Sequence, residues 1–370
     1  MVKAGPLRVL VVDDSAYNRR NIADILTGSD EVEVVGKAGD GEEALRLALS
    51  LKPDVITLDL EMPKMDGFTF LRILMVRQPT PVIVVSSYSH KENVFKALEL
   101  GAVDFVAKPT QRLAPDASLR REILQKVLLV RYLRPLAAVS QRNSAIPPLP
   151  RSTATPPVLS TAQPEQPSTR STTNIAARFI VGIGSSTGGP TALLEILSRV
   201  PEKFAGAILI AQHMPEKFTR TFAERLDRKS AIRVTEAVDG DIVTARRAFI
   251  CPGKNCMEAV VSQGPSGLGW NEIRLRVGPP SQHDRYIPSA DRLLRSLAPV
   301  GSRAYGVILT GMGDDGVAGA RAIRAGGGTI IAESEETAVV YGMPRAAVKA
   351  GVVNEVMGLP QIVDWVAQLS

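Results

Sequence analysis

From Arg134 the chain runs RPLAAVSQRNSAIPPLPRSTATPPVLSTAQPEQPSTRSTTN, about 40 residues rich in Pro, Ser and Thr with no apolar period. Such a stretch cannot bury enough apolar surface to offset the entropy of ordering, so residues 134–177 are expected to form a flexible, partly extended linker. It divides the 370-residue chain into two folding units, residues 1–133 and residues 178–370. A flexible chain of about 40 residues spans roughly 35 Å, so the two units can meet but the linker does not force them together.

In the first unit, short apolar runs alternate with helical patterns. RVLVV (8–12), VEVVGKA (32–38), DVITLDL (54–60), PVIVVSS (81–87) and AVDFVAK (102–108) have the composition of strands, and a last helical pattern runs from about Pro115 to Leu133. Five βα units of this spacing predict a parallel sheet with helices on both faces. In such sheets binding residues collect at the carboxyl ends of the strands. Asp13 and Asp14 end the first strand, Asp59 the third, Ser86 the fourth and Lys108 the fifth. Three carboxylates at one edge repel unless a cation lies among them, and hard oxygen ligands suit Mg²⁺. Lys108 and the Ser86 hydroxyl would complement an anion beside the metal, such as a phosphoryl group on Asp59. Unrelated solvated residues at strand ends are the alternative.

VVDDS, LDLEMPKMDG, VVSS and AKP together resemble the response-regulator receiver family. The resemblance implies a flavodoxin-like (βα)5 fold over residues 1 to about 130. It also implies phosphorylation at Asp59, Mg²⁺ on Asp13, Asp14, Asp59 and the Glu61 backbone carbonyl, and phosphoryl contacts from Ser86 and Lys108. Phe105 occupies the family's aromatic switch position, with plain core packing as the alternative. A histidine kinase is the implied phospho-donor.

After the linker the α/β alternation resumes with RFIVGIG, AGAILIAQH, RAFICP, IRLRVG, AYGVILTG and GGTIIAE. A second α/β, doubly wound and mainly parallel domain is expected, with no detectable internal repeat. Its first strand runs into Ser185-Ser186-Thr187-Gly188-Gly189. The spacing Gly182-x-Gly184-x-x-Thr187-Gly188 is an imperfect dinucleotide fingerprint, with Thr at the third glycine and no acid clearly ending a second strand. A serine on a sharp strand-to-helix turn can instead expose its hydroxyl beside free helix N-terminal amides, or simply cap the helix.

A serine nucleophile needs a base. Among the three histidines, His90 begins a helix in the first unit and His283 lies in a polar loop. His213 directly follows AILIAQ, at the end of a strand neighbouring that of the serine. In VILTGMGDDGVAGA, Asp314 and Asp315 follow a strand and a glycine turn, where either could orient the imidazole or cap the next helix. Serine, histidine and aspartate thus end strands of one sheet, the pattern of a catalytic site.

GIGSSTGGP, IAQHMP, LTGMGDDG and MPRAAVKAG resemble the catalytic domain of the chemotaxis protein-glutamate methylesterase family over about residues 178 to 370. The resemblance implies Ser186 as nucleophile, His213 as general base and Asp315 as orienting acid, with the amides near Thr187 and Met312 as oxyanion donors. It implies hydrolysis of glutamyl methyl esters on chemoreceptors without a cofactor, deamidation of receptor glutamines, and a receiver that covers the site until phosphorylated. Given the long tether, inhibition of about tenfold is expected, a docking preference of about 1.4 kcal/mol. Ile287 and Cys256 stand where the family usually has Arg and often has His.

Composition narrows the alternatives. Of the net charge of +6, the segment from Arg134 to Arg178 holds five arginines against Glu165, so +4 lies in and beside the linker. No basic stripe with interleaved aromatics is left for a nucleic acid, which argues against a DNA-binding regulator. No apolar run approaches the roughly 18 residues of a membrane span. The aspartates at 13 and 14 come too early for a signal peptide. Cys251 and Cys256 are expected to be structural thiols. A monomeric cytoplasmic protein without nucleic-acid or membrane partners is expected.

Overall fold

The computed structural model describes residues 5–87, 91–108, 117–133, 175–263 and 270–369. Most of the expected linker, residues 134–174, and His90 lie outside the described residues.

The N-terminal sheet contains β1 (Leu7–Val12), β2 (Val32–Ala38), β3 (Val55–Leu58), β4 (Val82–Ser87) and β5 (Asp104–Lys108). All pair in parallel in the order β2-β1-β3-β4-β5. Alternate residues of β1 serve opposite layers. Val9 and Val11 pack with Ile22, Ile25 and Leu26 of α1 (Ala16–Thr27) and with Ile123 and Val127 of α5 (Ala117–Leu129). Leu10 and Val12 face the layer of α2 (Gly41–Leu51), α3 (Gly67–Arg77) and α4 (Lys91–Glu99). Burial on both faces is why these strands are continuous apolar runs.

The C-terminal sheet has seven parallel strands in the order β14-β13-β12-β6-β7-β9-β8. At its centre, β6 (Ile180–Ser185) lies between β7 (Ala207–Gln212) and β12 (Ala304–Ile308). The chain winds outward from β6 to β7 and later returns to place β12 on the other side, a topological switch point that opens a crevice at the carboxyl ends. One face carries α6 (Gly189–Arg199), α7 (Glu216–Lys229) and α11 (Leu359–Gln368). The other carries α8 (Ala290–Ser296), α9 (Val317–Ala325) and α10 (Met343–Lys349).

One element departs from the expected parallel arrangement. IRLRVG belongs to β11 (Trp270–Gly278), which forms an antiparallel hairpin with β10 (Cys256–Gln263) outside the main sheet. Ile273 and Leu275 are buried while Arg274 and Arg276 face out, the alternation of a ribbon covered on one side only. The short strands β8 (Arg233–Glu236), β9 (Arg247–Ile250), β13 (Thr329–Glu333) and β14 (Glu355–Met357) complete the main sheet. The fingerprint-like glycines have a packing reason: a Cβ at Gly182 would come within 2.7 Å of Leu294 and Leu297, and one at Gly184 within 2.6 Å of Ala290. They let α8 approach β6.

The two units dock through α4, β5 and α5 of the first and α6, α7 and the serine turn of the second. Phe95 stacks on Phe222 with centroids 5.2 Å apart, and Phe105 packs on Phe218 at 4.6 Å. Around this apolar centre, Arg225 pairs with Glu99 at 2.6 Å and Arg228 with Glu92 at 2.9 Å. The Arg228–Glu92 pair is about half exposed and contributes little, so apolar burial supplies most of the attraction there. The core of one unit therefore continues into the other.

Candidate active site and phospho-acceptor pocket

At the carboxyl edge of the N-terminal sheet, Asp13 is fully buried, Asp59 nearly so and Asp14 exposed, with ligand oxygens all within 4.8 Å of one another. Lys108 Nζ lies 2.8 Å from Asp13 Oδ2 and 2.5 Å from Asp59 Oδ2. Burial pushes the Asp13 carboxyl above its ordinary range, and the adjacent Lys108 opposes that shift. Burial also works against the Lys108 charge, yet Asp59 and Asp13 outweigh it and push the ammonium up. Ser86 is buried on β4, and the Glu61 amide donates to Asp59 Oδ1 at 3.4 Å. Three converging hard oxygen donors fit Mg²⁺. Phe105 is buried at the interface between the units, in contact with Phe218.

The second site occupies the switch point. After β6 the chain turns through Gly188, at φ +81°, where Val339 and Thr310 leave no space for a side chain. Ser185 is buried and donates its hydroxyl to Gln212 Oε1 at 2.7 Å. Ser186 is the partly open serine of the pair. Its backbone is held from three sides: N–H to Thr310 O at 3.0 Å, and C=O accepting from Gly189 N at 2.8 Å and Gln212 Nε2 at 2.9 Å.

His213 directly follows β7, and its backbone N–H donates to Ser185 O at 3.0 Å. Its Nε2 lies 2.8 Å from Asp315 Oδ2. Asp315 is buried and accepts the first amides of α8, Ala290 N at 2.7 Å and Asp291 N at 2.8 Å. A carboxylate at a helix N-terminus meets unpaired N–H groups and the favourable end of the helix dipole, which fixes its position. Asp314 points elsewhere and accepts from the Tyr286 hydroxyl at 3.0 Å and Arg285 at 3.3 Å. Of the two aspartates, the structure sets Asp315 on His213. His283 is exposed in its loop.

Thr187 is buried and Met312 partly exposed, and neither backbone amide donates a hydrogen bond among the described residues. The Thr187 carbonyl accepts from Thr310 Oγ1 at 2.9 Å, and Thr310 N donates to buried Glu333 at 2.8 Å. The sequence reading missed Gln212, Thr310 and Tyr286, whose contacts join segments distant in the chain and leave no local pattern. Cys251 and Cys256 are buried free thiols, and burial pushes both upward.

Ser186, Thr187, His213 and Met312 line a cleft of about 810 Å³. Its opposite wall comes from the N-terminal unit: Asp104, Glu122, Gln125, Lys126 and Leu129. Thr187 Oγ1 donates across the boundary to Asp104 Oδ2, while Asp104 Oδ1 pairs with Lys126 at 3.0 Å. The regulatory sheet thus reaches the serine turn itself.

Two sheets joined in this way define a response regulator whose output domain is a hydrolase. The response regulator receiver domain model matches residues 9–116, and the CheB methylesterase model matches residues 181–366. A protein-glutamate methylesterase/protein-glutamine glutaminase of Geobacter sulfurreducens is 47% identical over 363 residues, covering 96% of this chain and 95% of its own. Another, from Anaeromyxobacter dehalogenans, is 48% identical over 355 residues, covering 95% and 93%. The crystal structure of the Thermotoga maritima CheB methylesterase catalytic domain is 34% identical, covers 53% of this chain and 100% of that chain, and gives a TM-score of 0.48. The chain belongs to the CheB methylesterase family.

Proposed function

We propose that this protein demethylates glutamyl methyl esters on chemoreceptors, releasing methanol, and deamidates receptor glutamines, under control of phosphorylation at Asp59. The observation that carries the reading is the His213–Asp315 pair, with His213 and the partly open Ser186 lining one cleft at the ends of the adjacent strands β7 and β6. Ser186 Oγ attacks the ester carbonyl carbon. Its proton passes to His213 Nδ1, the nitrogen left by the Nε2–Asp315 bond. The amides of Thr187 and Met312 receive the oxyanion, and Asp315 stabilises the imidazolium. His213 then protonates the departing methoxide, and water, deprotonated in turn by His213, releases the glutamate. An amide substrate follows the same course with ammonia as leaving group.

In the receiver, the Asp59 carboxylate attacks the phosphorus of the kinase's phosphohistidine, the P–N bond breaks and the imidazole leaves, while Ser86 and Lys108 contact the phosphoryl oxygens. Asp13, Asp14, Asp59 and the Glu61 carbonyl would hold Mg²⁺, which when bound supplies positive charge that offsets the carboxylates and the incoming phosphoryl group. A histidine kinase is the donor and methyl-accepting chemoreceptors are the substrates. The protein acts as a cytoplasmic monomer without binding nucleic acid or inserting in a membrane. No described helix is long and apolar enough to cross one.

Methanol release from methylated receptors, and ammonia release from glutamine-bearing receptors, tests the reading directly. Absence of both from the phosphorylated protein would reject it.

The docked receiver restricts the cleft, and Asp104 is its closest hold on the serine turn. Asp104→Ala is expected to raise methanol release by the unphosphorylated full-length protein about fivefold, equivalent to loss of about 1 kcal/mol of docking. Steady-state rates without phospho-donor check this, and an unchanged or lower rate would mean that the contact does not restrain the site.

A further inference from the structure

Tyr286 is the one aromatic ring laid on the imidazole of His213 among the described residues, with centroids 5.2 Å apart and planes 5° from parallel. The separation at that angle describes an offset stack. The same side chain is pinned at its far end, where the hydroxyl donates to Asp314 Oδ1 at 3.0 Å. Arg285 adds a bond to Asp314 at 3.3 Å and lies 5.5 Å from the Tyr286 ring centroid.

Beneath the phenol, Gly313 adopts φ +98°, and a Cβ there would come within 2.4 Å of the Tyr286 hydroxyl. The close fit therefore requires glycine on both conformational and steric grounds. The loop that carries the ring is braced at its base. Arg292 donates to Pro279 O at 3.4 Å and to Asp284 at 3.1 Å, while its other amine reaches Glu258 of the hairpin at 3.0 Å.

We propose that Tyr286 is a positioning residue for the hydrolase reaction: its ring holds the His213 imidazole in the plane that keeps Nε2 on Asp315 and turns Nδ1 toward Ser186, and Asp314 serves as the anchor of that ring. The inference rests on the assignment of Ser186 and His213 given above. It explains why two consecutive aspartates are both engaged, one on the imidazole edge and the other on the residue covering its face. The aromatic face also favours the imidazolium that forms when Ser186 loses its proton.

The test uses full-length protein phosphorylated with acetyl phosphate and Mg²⁺, with methanol release from methylated receptor as the readout. Tyr286→Phe keeps the ring and should retain kcat within about threefold, whereas Tyr286→Leu should lose about tenfold or more in kcat with KM changed less than about twofold. Asp314→Ala, at an exposed site that does not threaten folding, should lower kcat by about threefold. A Leu variant with wild-type kcat, a loss confined to KM, or a Phe variant as impaired as Leu would overturn the proposal.

The chain has three histidines, so ¹⁵N-histidine spectra offer a readout independent of turnover. The Nε2–H signal of His213 should stay sharp in Tyr286→Phe and broaden in Tyr286→Leu, and a sharp signal in the Leu variant would count against the ring's role. Full activity in Ser186→Ala would instead undo the esterase assignment, while the spectra would still report whether Tyr286 holds His213.

Discussion

Ser186→Ala should reduce methanol release from methylated receptors by about 10³-fold or more, because the variant keeps the base and the oxyanion amides but has no oxygen to form the acyl-enzyme. No neighbour can stand in. Ser185 precedes it directly, but that hydroxyl is buried and committed to Gln212. Ser185→Ala should therefore retain most of the activity, so the two variants together separate the reacting hydroxyl from the supporting one. Ser186→Ala removes only the hydroxyl oxygen and leaves the backbone contacts with Thr310, Gly189 and Gln212 in place, so the fold should persist. Equal rates for Ser186→Ala and wild type would end the proposed mechanism.

Asp59→Asn should abolish labelling by acetyl phosphate, with a loss of about 10²-fold or more, since an amide is a poor nucleophile for phosphorus. Wild-type labelling should also disappear with EDTA, because Asp13, Asp14 and Asp59 converge without enough positive charge of their own to accept a phosphoryl group. Lys108 is the cation between Asp13 and Asp59, and in the proposed reaction its ammonium would also meet the phosphoryl oxygens. Acid-labile, hydroxylamine-sensitive label on the wild type and none on the variant is the expected result. Undiminished label on the variant would place the phosphoryl group at another residue.

The sequence disclosed those parts of the fold that obey local rules. The sheet strands are apolar throughout because helices cover both faces, so β1, β6, β7 and β12 announce themselves as short runs bounded by turn residues. The residue after such a run is a candidate for the sheet's carboxyl edge, and Asp13, Asp59, Ser186 and His213 all stand there. The hairpin follows the opposite rule. IRLRVG alternates, as a ribbon covered on one face must, and that period distinguishes it from the main strands. The short strands β8 and β14 carry too few apolar residues to signal themselves.

Asp315 lies seven residues beyond β12, and nothing local separates it from Asp314. The choice is made by amides of α8, contributed from about 25 residues upstream. The docking of the two units is not legible in the sequence either, because its residues lie far apart in the chain and form no local pattern. Phe95, Phe105, Phe218 and Phe222 each pass for ordinary core residues until their rings meet across the boundary.

Strand β5 ends at Lys108 in the phospho-acceptor pocket and begins at Asp104 on the serine turn, with Phe105 against Phe218 between them. At about 3.3 Å per residue, the two chemistries are separated along this strand by about 13 Å. Receivers are therefore not interchangeable parts in this architecture. A receiver transplanted from another regulator with its acidic pocket intact would accept phosphate normally yet leave the esterase ungated. Gating would travel only with a graft that brings Asp104, Phe105 and the matching face of α4, so selection on the signal input and on the enzyme output acts on one short strand.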